Sequence, residues 1–303
     1  MTRVAAIDCG TNSIRLLVAD VGDAGLTEVV RTMEIVRLGE GVDRTGRLSP
    51  AAIDRTRVAL QAYAKTIAST GAERVRMVAT SASRDASNAD DFRTMVREVL
   101  GQDPEVISGD AEARLSFAGA VGGLHAEAPY LVVDIGGGST EFVLGTESVE
   151  AARSVDIGCV RLTERHLHSD PPTDAEIAAA EADIRAAVAL ARETVPVAEA
   201  RTLVGLAGTV TTVTALALGL PAYDSAKIHH ARVSADRVAD VTAMLLRSTR
   251  AERAAFAVMH PGRADVIGAG ALVLRVLMEV VGADELVASE HDILDGIALS
   301  LGP

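Results

Sequence analysis

One short motif occurs twice in this chain of 303 residues. Ala6-Ile7-Asp8-Cys9-Gly10-Thr11-Asn12-Ser13 lies over Val132-Val133-Asp134-Ile135-Gly136-Gly137-Gly138-Ser139, matching an apolar run, an Asp, a Gly and a Ser at a constant offset of 126 residues, 134 against 8. Each copy is followed by a second β-rich run, 14–21 and 141–145, and then a third, 27–36 and 149–155. An internal duplication of this kind predicts two similar α/β lobes.

The rest of the chain extends that pattern. Runs 3–9, 14–21 and 26–36, separated by Gly, Asn and Asp turn signals, predict an antiparallel three-stranded meander. Ser49 as N-cap and Pro50 at the first helical position open a helix to about Ile67. A strand at 75–79, a helix at 88–100, a strand at 105–107 and a helix at 109–121 complete the first half. The second half has a strand at 130–133, helices at 160–168 and 173–192, a strand at 202–206, and mostly helix onward to 301. The boundary is expected near 122–129, giving an N-terminal lobe of 1–124, with a closing helix at 290–303 packing back on it, and a C-terminal lobe of 125–303.

An apolar fraction of 49% and a charged fraction of 23% exclude disorder and low-complexity architecture. Cys9 and Cys159 are too few for a disulfide framework and read as core hydrophobes in a reducing cytoplasm. With 2% aromatics, no Trp and a net charge of -13, neither a nucleic-acid partner nor a membrane surface is expected. The uncharged stretch 202–223 holds five threonines and lacks basic flanks, so it reads as strand, turn and helix and not as a membrane span. No leader is expected before the first strand.

Chemistry concentrates in the loops. Gly136, Gly137 and Gly138 can aim successive backbone N–H groups at one phosphate oxygen, with Ser139 and Thr140 as added hydroxyl donors, although a hairpin turn has the same composition. The duplicate loop Gly10, Thr11, Asn12 and Ser13 makes a paired phosphate clamp the better reading, since a turn needs no such symmetry. Gly208 and Thr209 lead from a strand into a helix whose N-terminus favours anions, or act only as turn and cap. Asp8, Asp134 and Glu141 beside these loops would repel phosphate, a conflict that a divalent ion such as Mg²⁺ removes. Glu112 at a helix start either answers the dipole or orients a water for attack on phosphorus. All but two of the 29 basic residues are arginine, and Arg15, Arg84 and Arg263 lie nearest the loops. His229, His230 and His260 lack metal-ligand spacing and read as capping or surface residues.

Six segments together resemble the exopolyphosphatase and guanosine pentaphosphate phosphohydrolase family: AIDCGTNSIRLLVAD at 6–20, TSASRDASNADDF at 80–92, ISGDAEARLSFAGA at 107–120, VVDIGGGSTEFVLG at 132–145, GLAGTVTTV at 205–213 and HPGRADVIGAG at 260–270. The resemblance implies an α/β fold of two duplicated ribonuclease H-like, actin-like lobes with a central interlobe cleft. It implies that Glu112 is the catalytic glutamate, that Asp134 and Glu141 help hold the metal, and that residues 136–140 grip the scissile phosphate. It sets Arg84 near the phosphates and Arg15 and Arg263 on the substrate. The family pattern has two adjacent acids before Ala-Arg, and here the first is Ala111. With Ser108 as N-cap, that change removes a capping-box return bond of about 1 kcal/mol at most, unless the missing acid serves the metal. Longer family members carry further helical domains, so shorter preferred polymers are expected here.

The expected activity is release of terminal orthophosphate from inorganic polyphosphate with Mg²⁺ or Mn²⁺; a monovalent cation and a homodimer are compatible with the resemblance. The rivals are hydrolysis of guanosine pentaphosphate, alone or as a second activity, an actin-like ATPase or sugar kinase, and a non-catalytic polyphosphate or nucleotide sensor.

Overall fold

The computed structural model of the chain describes every residue except Ala24 and Pro303. Two compact units emerge, Met1–Gly119 with Asp292–Pro303, and Ala120–His291. The first unit carries β1 (Thr2–Cys9), β2 (Ser13–Gly22), β3 (Gly25–Ile35), β4 (Arg74–Ala79) and β5 (Glu105–Val106), in the sheet order β3-β2-β1-β4-β5. The second carries β6 (Tyr130–Ile135), β7 (Thr140–Gly145), β8 (Val149–Val155), β9 (Thr202–Leu206), β10 (Arg232–Ser234) and β11 (Glu285–Ala288), in the order β10-β11-β9-β6-β7-β8. Leaving β10 aside, the two orders superimpose strand for strand. In each the first two strands are antiparallel, and the first pairs in parallel with the strand on its other side.

Period-two alternation explains how β1 is covered on both faces. Ala5, Ile7 and Cys9 join the core under the helices Pro50–Thr70 and Ala89–Leu100, whereas Val4 and Ala6 meet Ile293, Leu294 and Ile297 of the helix Ile293–Leu299. The helix Pro50–Thr70 starts where the sequence predicts: Ser49 Oγ accepts from the Ala52 amide at 3.2 Å, Pro50 follows it, and Gly71 ends it in the left-handed region. Its inward face, Ile53, Thr56, Leu60, Tyr63 and Ile67, recurs at three- and four-residue steps, each large apolar side chain contributing roughly 1.5–3 kcal/mol by burial. In the first unit, the helix Ile293–Leu299 crosses the helix Gly109–Val121 at glycines. A Cβ on Gly296 would meet the Leu115 carbonyl oxygen at 2.0 Å, and one on Gly119 would meet that of Asp292 at 1.9 Å.

The stretch expected to be mostly helical beyond β9 contains β10 and β11. They are three and four residues long, too short for a period-two signal, and the backbone pairing of β11 with β9 decides their conformation. Both cysteines are buried and free. The uncharged stretch 202–223 forms β9 and the helix Ala207–Ala217; among the described residues no helix is long and apolar enough to cross a membrane.

Candidate active site

In each unit the candidate residues gather at the carboxyl ends of the parallel strands, where α/β sheets bind ligands. In the first unit, alternation sets Asp8 on the same face as Ala6, towards the helix Ile293–Leu299, and register sets Arg15 directly opposite it. Arg15 donates through Nε and Nη2 to Asp8 Oδ2 at 2.9 and 2.6 Å, and through Nη1 to Asp292 Oδ2. Burial pushes the Asp8 carboxyl above its ordinary pKa, against the pull of Arg15. Asp292 is equally desolvated, but Arg15 and Arg31 outweigh that and hold it below the ordinary carboxylate range. The structure engages Arg15, which the resemblance sets on the substrate, with two buried acids whose charges offset its own. Asp292, the residue that makes this possible, was missed: it is 277 residues away and carries no local signal beyond capping its helix.

The loop after β1 is tied down by short bonds. Gly10 N donates to Ser13 O at 2.9 Å, and the Thr11 and Ser81 hydroxyls pair at 2.8 Å. The carbonyls of Thr11 and Asn12 accept from Gly39 N at 2.9 Å and Arg37 N at 2.8 Å. Asn12 Oδ1 is buried without a protein partner. Past the end of β4, in the short helix Ser81–Asp85, Arg84 donates through Nη1 to the Ile107 carbonyl at 3.1 Å and to Glu112 Oε2 at 3.2 Å. Glu112 is largely buried in the first turn of the helix Gly109–Val121. Ser108 Oγ accepts from Ala111 N at 3.2 Å, so half of the expected capping box is present, and Ala111 packs on the apolar cluster beneath.

The second unit repeats the turn, with Gly136 N donating to Ser139 O at 3.0 Å. The helix Cys159–His166 backs this loop: Cys159 N donates to Gly136 O at 3.0 Å, Val160 N to Gly137 O at 2.9 Å, and Arg161 Nε to Gly138 O at 2.7 Å. All three glycine carbonyls are thus turned back, while among the described residues the amides of Gly137 and Gly138 donate to no backbone carbonyl. That is the polarity of an anion cradle. The close backing requires Gly158, whose Cβ would sit 2.5 Å from the Gly137 carbonyl. Arg161, absent from the sequence candidates, brings a guanidinium to this loop from a helix whose docking no local pattern announces. The Thr140 hydroxyl is buried and donates to the Ile157 carbonyl at 2.8 Å, and the Ser139 hydroxyl is the loop's other side-chain donor.

The third loop joins β9 to the helix Ala207–Ala217. Ala207 takes φ 67°, an uncommon left-handed conformation for a residue with a side chain. A Cβ on Gly208 would lie 1.8 Å from Nη1 of Arg263, the flexible end of a side chain whose guanidinium lies against the loop and reaches Thr212 Oγ1 at 3.4 Å. Thr209 is buried against Gly270 beside Cys159, whose thiol burial pushes up to about 11. His260 caps the turn that carries Arg263, its Nδ1 accepting from Gly262 N at 3.2 Å.

The residues suit a hard divalent cation. Register places Asp134 opposite Glu141, and the same offset of 126 that aligns Asp134 with Asp8 aligns Glu141 with Arg15. The first unit therefore pairs acid with base, and the second pairs two buried acids, with Ser154 Oγ donating to Glu141 Oε1 at 2.7 Å. Directly opposed like charges are unfavourable on a sheet unless a cation offsets them. Asp8 Oδ1 is a buried oxygen without a partner. Among the described residues no three His, Cys, Asp or Glu side chains form a cage, and Mg²⁺ needs none, since one or two carboxylates suffice with water and substrate oxygens.

Comparison with known proteins agrees with this architecture. The Ppx/GppA phosphatase family model matches residues 17–302. The chain is 58% identical to exopolyphosphatase 2 of Mycobacterium tuberculosis, covering 99% of both chains. It is 29% identical to the guanosine-5'-triphosphate,3'-diphosphate pyrophosphatase of Aeromonas salmonicida, covering 98% of this chain and 59% of that protein. A crystal structure of an exopolyphosphatase-like protein superimposes with a TM-score of 0.97 at 45% identity, over 99% of this chain and 98% of the other. The fold is the duplicated, actin-like α/β fold, and the chain belongs to the Ppx/GppA phosphatase family.

Proposed function

We propose that this protein is an exopolyphosphatase, releasing orthophosphate from the end of inorganic polyphosphate. The observation that carries this is the Gly136–Ser139 loop, whose carbonyls are drawn back so that its amide edge is offered to a phosphoryl group, immediately beside the opposed carboxylates Asp134 and Glu141. The 58% identity to an exopolyphosphatase over the full length supports the choice of substrate.

In this mechanism Glu112 orients a water and accepts its proton as the oxygen attacks the terminal phosphorus. Arg84, bonded to Glu112, fixes that carboxylate and shares charge with the phosphoryl oxygens. The amides of Gly137 and Gly138 and the Ser139 hydroxyl stabilise charge developing on the transferred group. Gly208, Thr209 and Arg263 hold an adjacent phosphoryl, as do Gly10, Thr11, Asn12 and Ser13 in the duplicate loop. Asp134 and Glu141 of the second unit would hold Mg²⁺ or Mn²⁺, Asp8 is the candidate metal carboxylate of the first unit, and the ion when bound supplies charge neutralisation for phosphate oxygens. Arg15 keeps Asp8 and Asp292 in place. Guanosine pentaphosphate is the second reading, favoured by the likeness to a guanosine pentaphosphate hydrolase.

The test is phosphate release from tripolyphosphate, long polyphosphate, guanosine pentaphosphate and ATP in parallel with Mg²⁺. Glu112→Gln is expected to lower kcat about 10²- to 10⁴-fold, the usual contribution of a general base. Full release by Glu112→Gln would remove Glu112 from the chemistry. Tight polymer binding without any release by the natural chain would make the protein a sensor.

A further inference from the structure

The second unit holds a cavity of about 310 Å³ at the end of its sheet away from the phosphate loops. It opens where the parallel strands β6, β9 and β11 begin, and the loops at their carboxyl ends take no part in it. Arg201 and Asp284 line it, each standing two residues ahead of the paired Leu203 and Leu286, so they occupy matching places on neighbouring strands. Both backbones are pinned: Arg201 N donates to the Pro129 carbonyl at 2.8 Å, and the Asp284 carbonyl accepts from Ala235 N at 2.8 Å. Both residues are exposed, and among the described residues neither side chain takes part in an ion pair or a hydrogen bond.

The remaining charges of this rim cancel. Arg232 and Glu285 form an ion pair across β10 and β11. The helix Ile267–Val281 ends on the same cavity, where Gly282 turns at φ 70° and the amides of Gly282 and Ala283 fold back on the Glu279 and Met278 carbonyls at 3.3 and 2.9 Å. The carbonyl end of a helix carries partial negative charge. With 42 acidic and 29 basic residues the chain has acids in excess, yet the one that register sets beside Arg201 does not pair with it. The cavity thus offers an unpaired guanidinium together with an unpaired carboxylate that a helix end reinforces.

Those charges select the ligand. A chain of phosphates would be repelled by Asp284 and the helix carbonyls, a simple cation would leave Arg201 unserved, and an apolar molecule would leave both charges unserved. A small molecule with a carboxylate and an ammonium serves both: the carboxylate takes two N–H donors of the Arg201 fork, and the ammonium donates to Asp284 and to a helix carbonyl. An α-amino acid carries the two groups on one carbon, and its size suits a cavity at the small end of the range for ligand sites. We infer that this cavity binds a free α-amino acid, recognised through its ammonium and its carboxylate. The inference does not rest on the hydrolase reading, whose residues lie at the other end of the sheet.

Backbone amide shifts of the full chain, followed by NMR during titration, test this with three compounds: L-serine, L-serinamide, whose carboxylate is an amide, and L-glycerate, whose ammonium is a hydroxyl. Serine is expected to give saturable shifts at 200–203 and 282–286, and each analogue to bind at least about tenfold more weakly for want of one charge-assisted contact. In Arg201→Gln serine and serinamide should bind alike, and in Asp284→Asn serine and glycerate should bind alike. Both substitutions are at exposed positions, and a ratio of affinities is not changed by a fraction of unfolded variant. Equal affinity for the three compounds in the natural chain, absence of saturable shifts with serine, or preferences that survive both substitutions overturns the site. So do shifts centred on 136–139 and 208–209 in place of those expected, which would put the carboxylate on the phosphate loops. Phosphate release from tripolyphosphate, measured alongside, judges the hydrolase reading separately: it can fail while serine binds, or persist while serine does not.

Discussion

Replacing Gly208 by alanine puts a methyl group where the Arg263 guanidinium lies, 1.8 Å from Nη1 and 1.9 Å from Cζ. Ordinary contact begins near 3.4 Å, so the guanidinium has to withdraw by more than an ångström. The atoms met are the far end of a flexible side chain, so the fold is expected to lose little. The bond from Nη1 to Thr212 Oγ1 is long at 3.4 Å, and Thr212 keeps its bond to the Gly208 carbonyl at 2.6 Å. Gly208 lies outside the left-handed region, so alanine fits its backbone and gains up to about 1 kcal/mol in helix propensity. Stability should therefore change by no more than about 1 kcal/mol, a Tm shift of a few degrees at most. Substrate affinity should change far more. A charge-assisted hydrogen bond contributes about 1.5–3 kcal/mol, which corresponds to roughly 10- to 150-fold in affinity. The assay is KM for tripolyphosphate together with thermal unfolding, on Gly208→Ala, Arg263→Ala and the double variant. If the methyl group acts through Arg263, the double variant is no worse than Arg263→Ala alone. An unchanged KM in both single variants refutes a substrate role for Arg263; fully additive losses refute the route from Gly208 through it.

Ala111→Glu should complete the capping box with Ser108, raising stability by up to about 1 kcal/mol in denaturant titration and leaving kcat within about twofold; a tenfold gain in activity at limiting Mg²⁺ would instead assign the missing acid to the metal. Glu141→Gln should raise the Mg²⁺ concentration for half-maximal activity at least tenfold, and an unshifted Mg²⁺ titration would remove Glu141 from the metal set. Glu176 closes the capping box of the helix Asp174–Arg192, and its bonds from the Thr173 amide and hydroxyl and the His168 amide lower its carboxyl pKa to about 2. With the folded value depressed, the stabilisation is present above the unfolded pKa near 4.5 and lost as pH falls towards 2. The Tm difference between the natural chain and Glu176→Gln should accordingly shrink from pH 6 to pH 3, and a constant difference would contradict that linkage.

The sequence determined the features that short-range periodicity and repetition can encode. The twice-used turn at Gly10 and Gly136 closes with the same hydrogen bond in both copies, and Ser49 and Pro50 start their helix as capping chemistry requires. The run 3–9 was legible as a strand, but its residues 4–7 are continuously apolar, so the face on which Asp8 stands was not. Tertiary structure alone decided who meets whom. The offset sets Arg15 over Glu141 in the alignment, but only strand register shows each facing its own aspartate, one pair neutral and the other doubly acidic. Asp292 reaches Arg15 across 277 residues, Arg161 reaches Gly138 across 23, and Thr140 turns its hydroxyl inward to Ile157. β10 and β11 are strands because β9 offers its edge, not because three or four residues declare it. Backbone preference acts over a few residues and is written locally, whereas a side chain's charge or hydroxyl is committed only when packing brings a partner within about 3 Å, and that distance belongs to the folded chain.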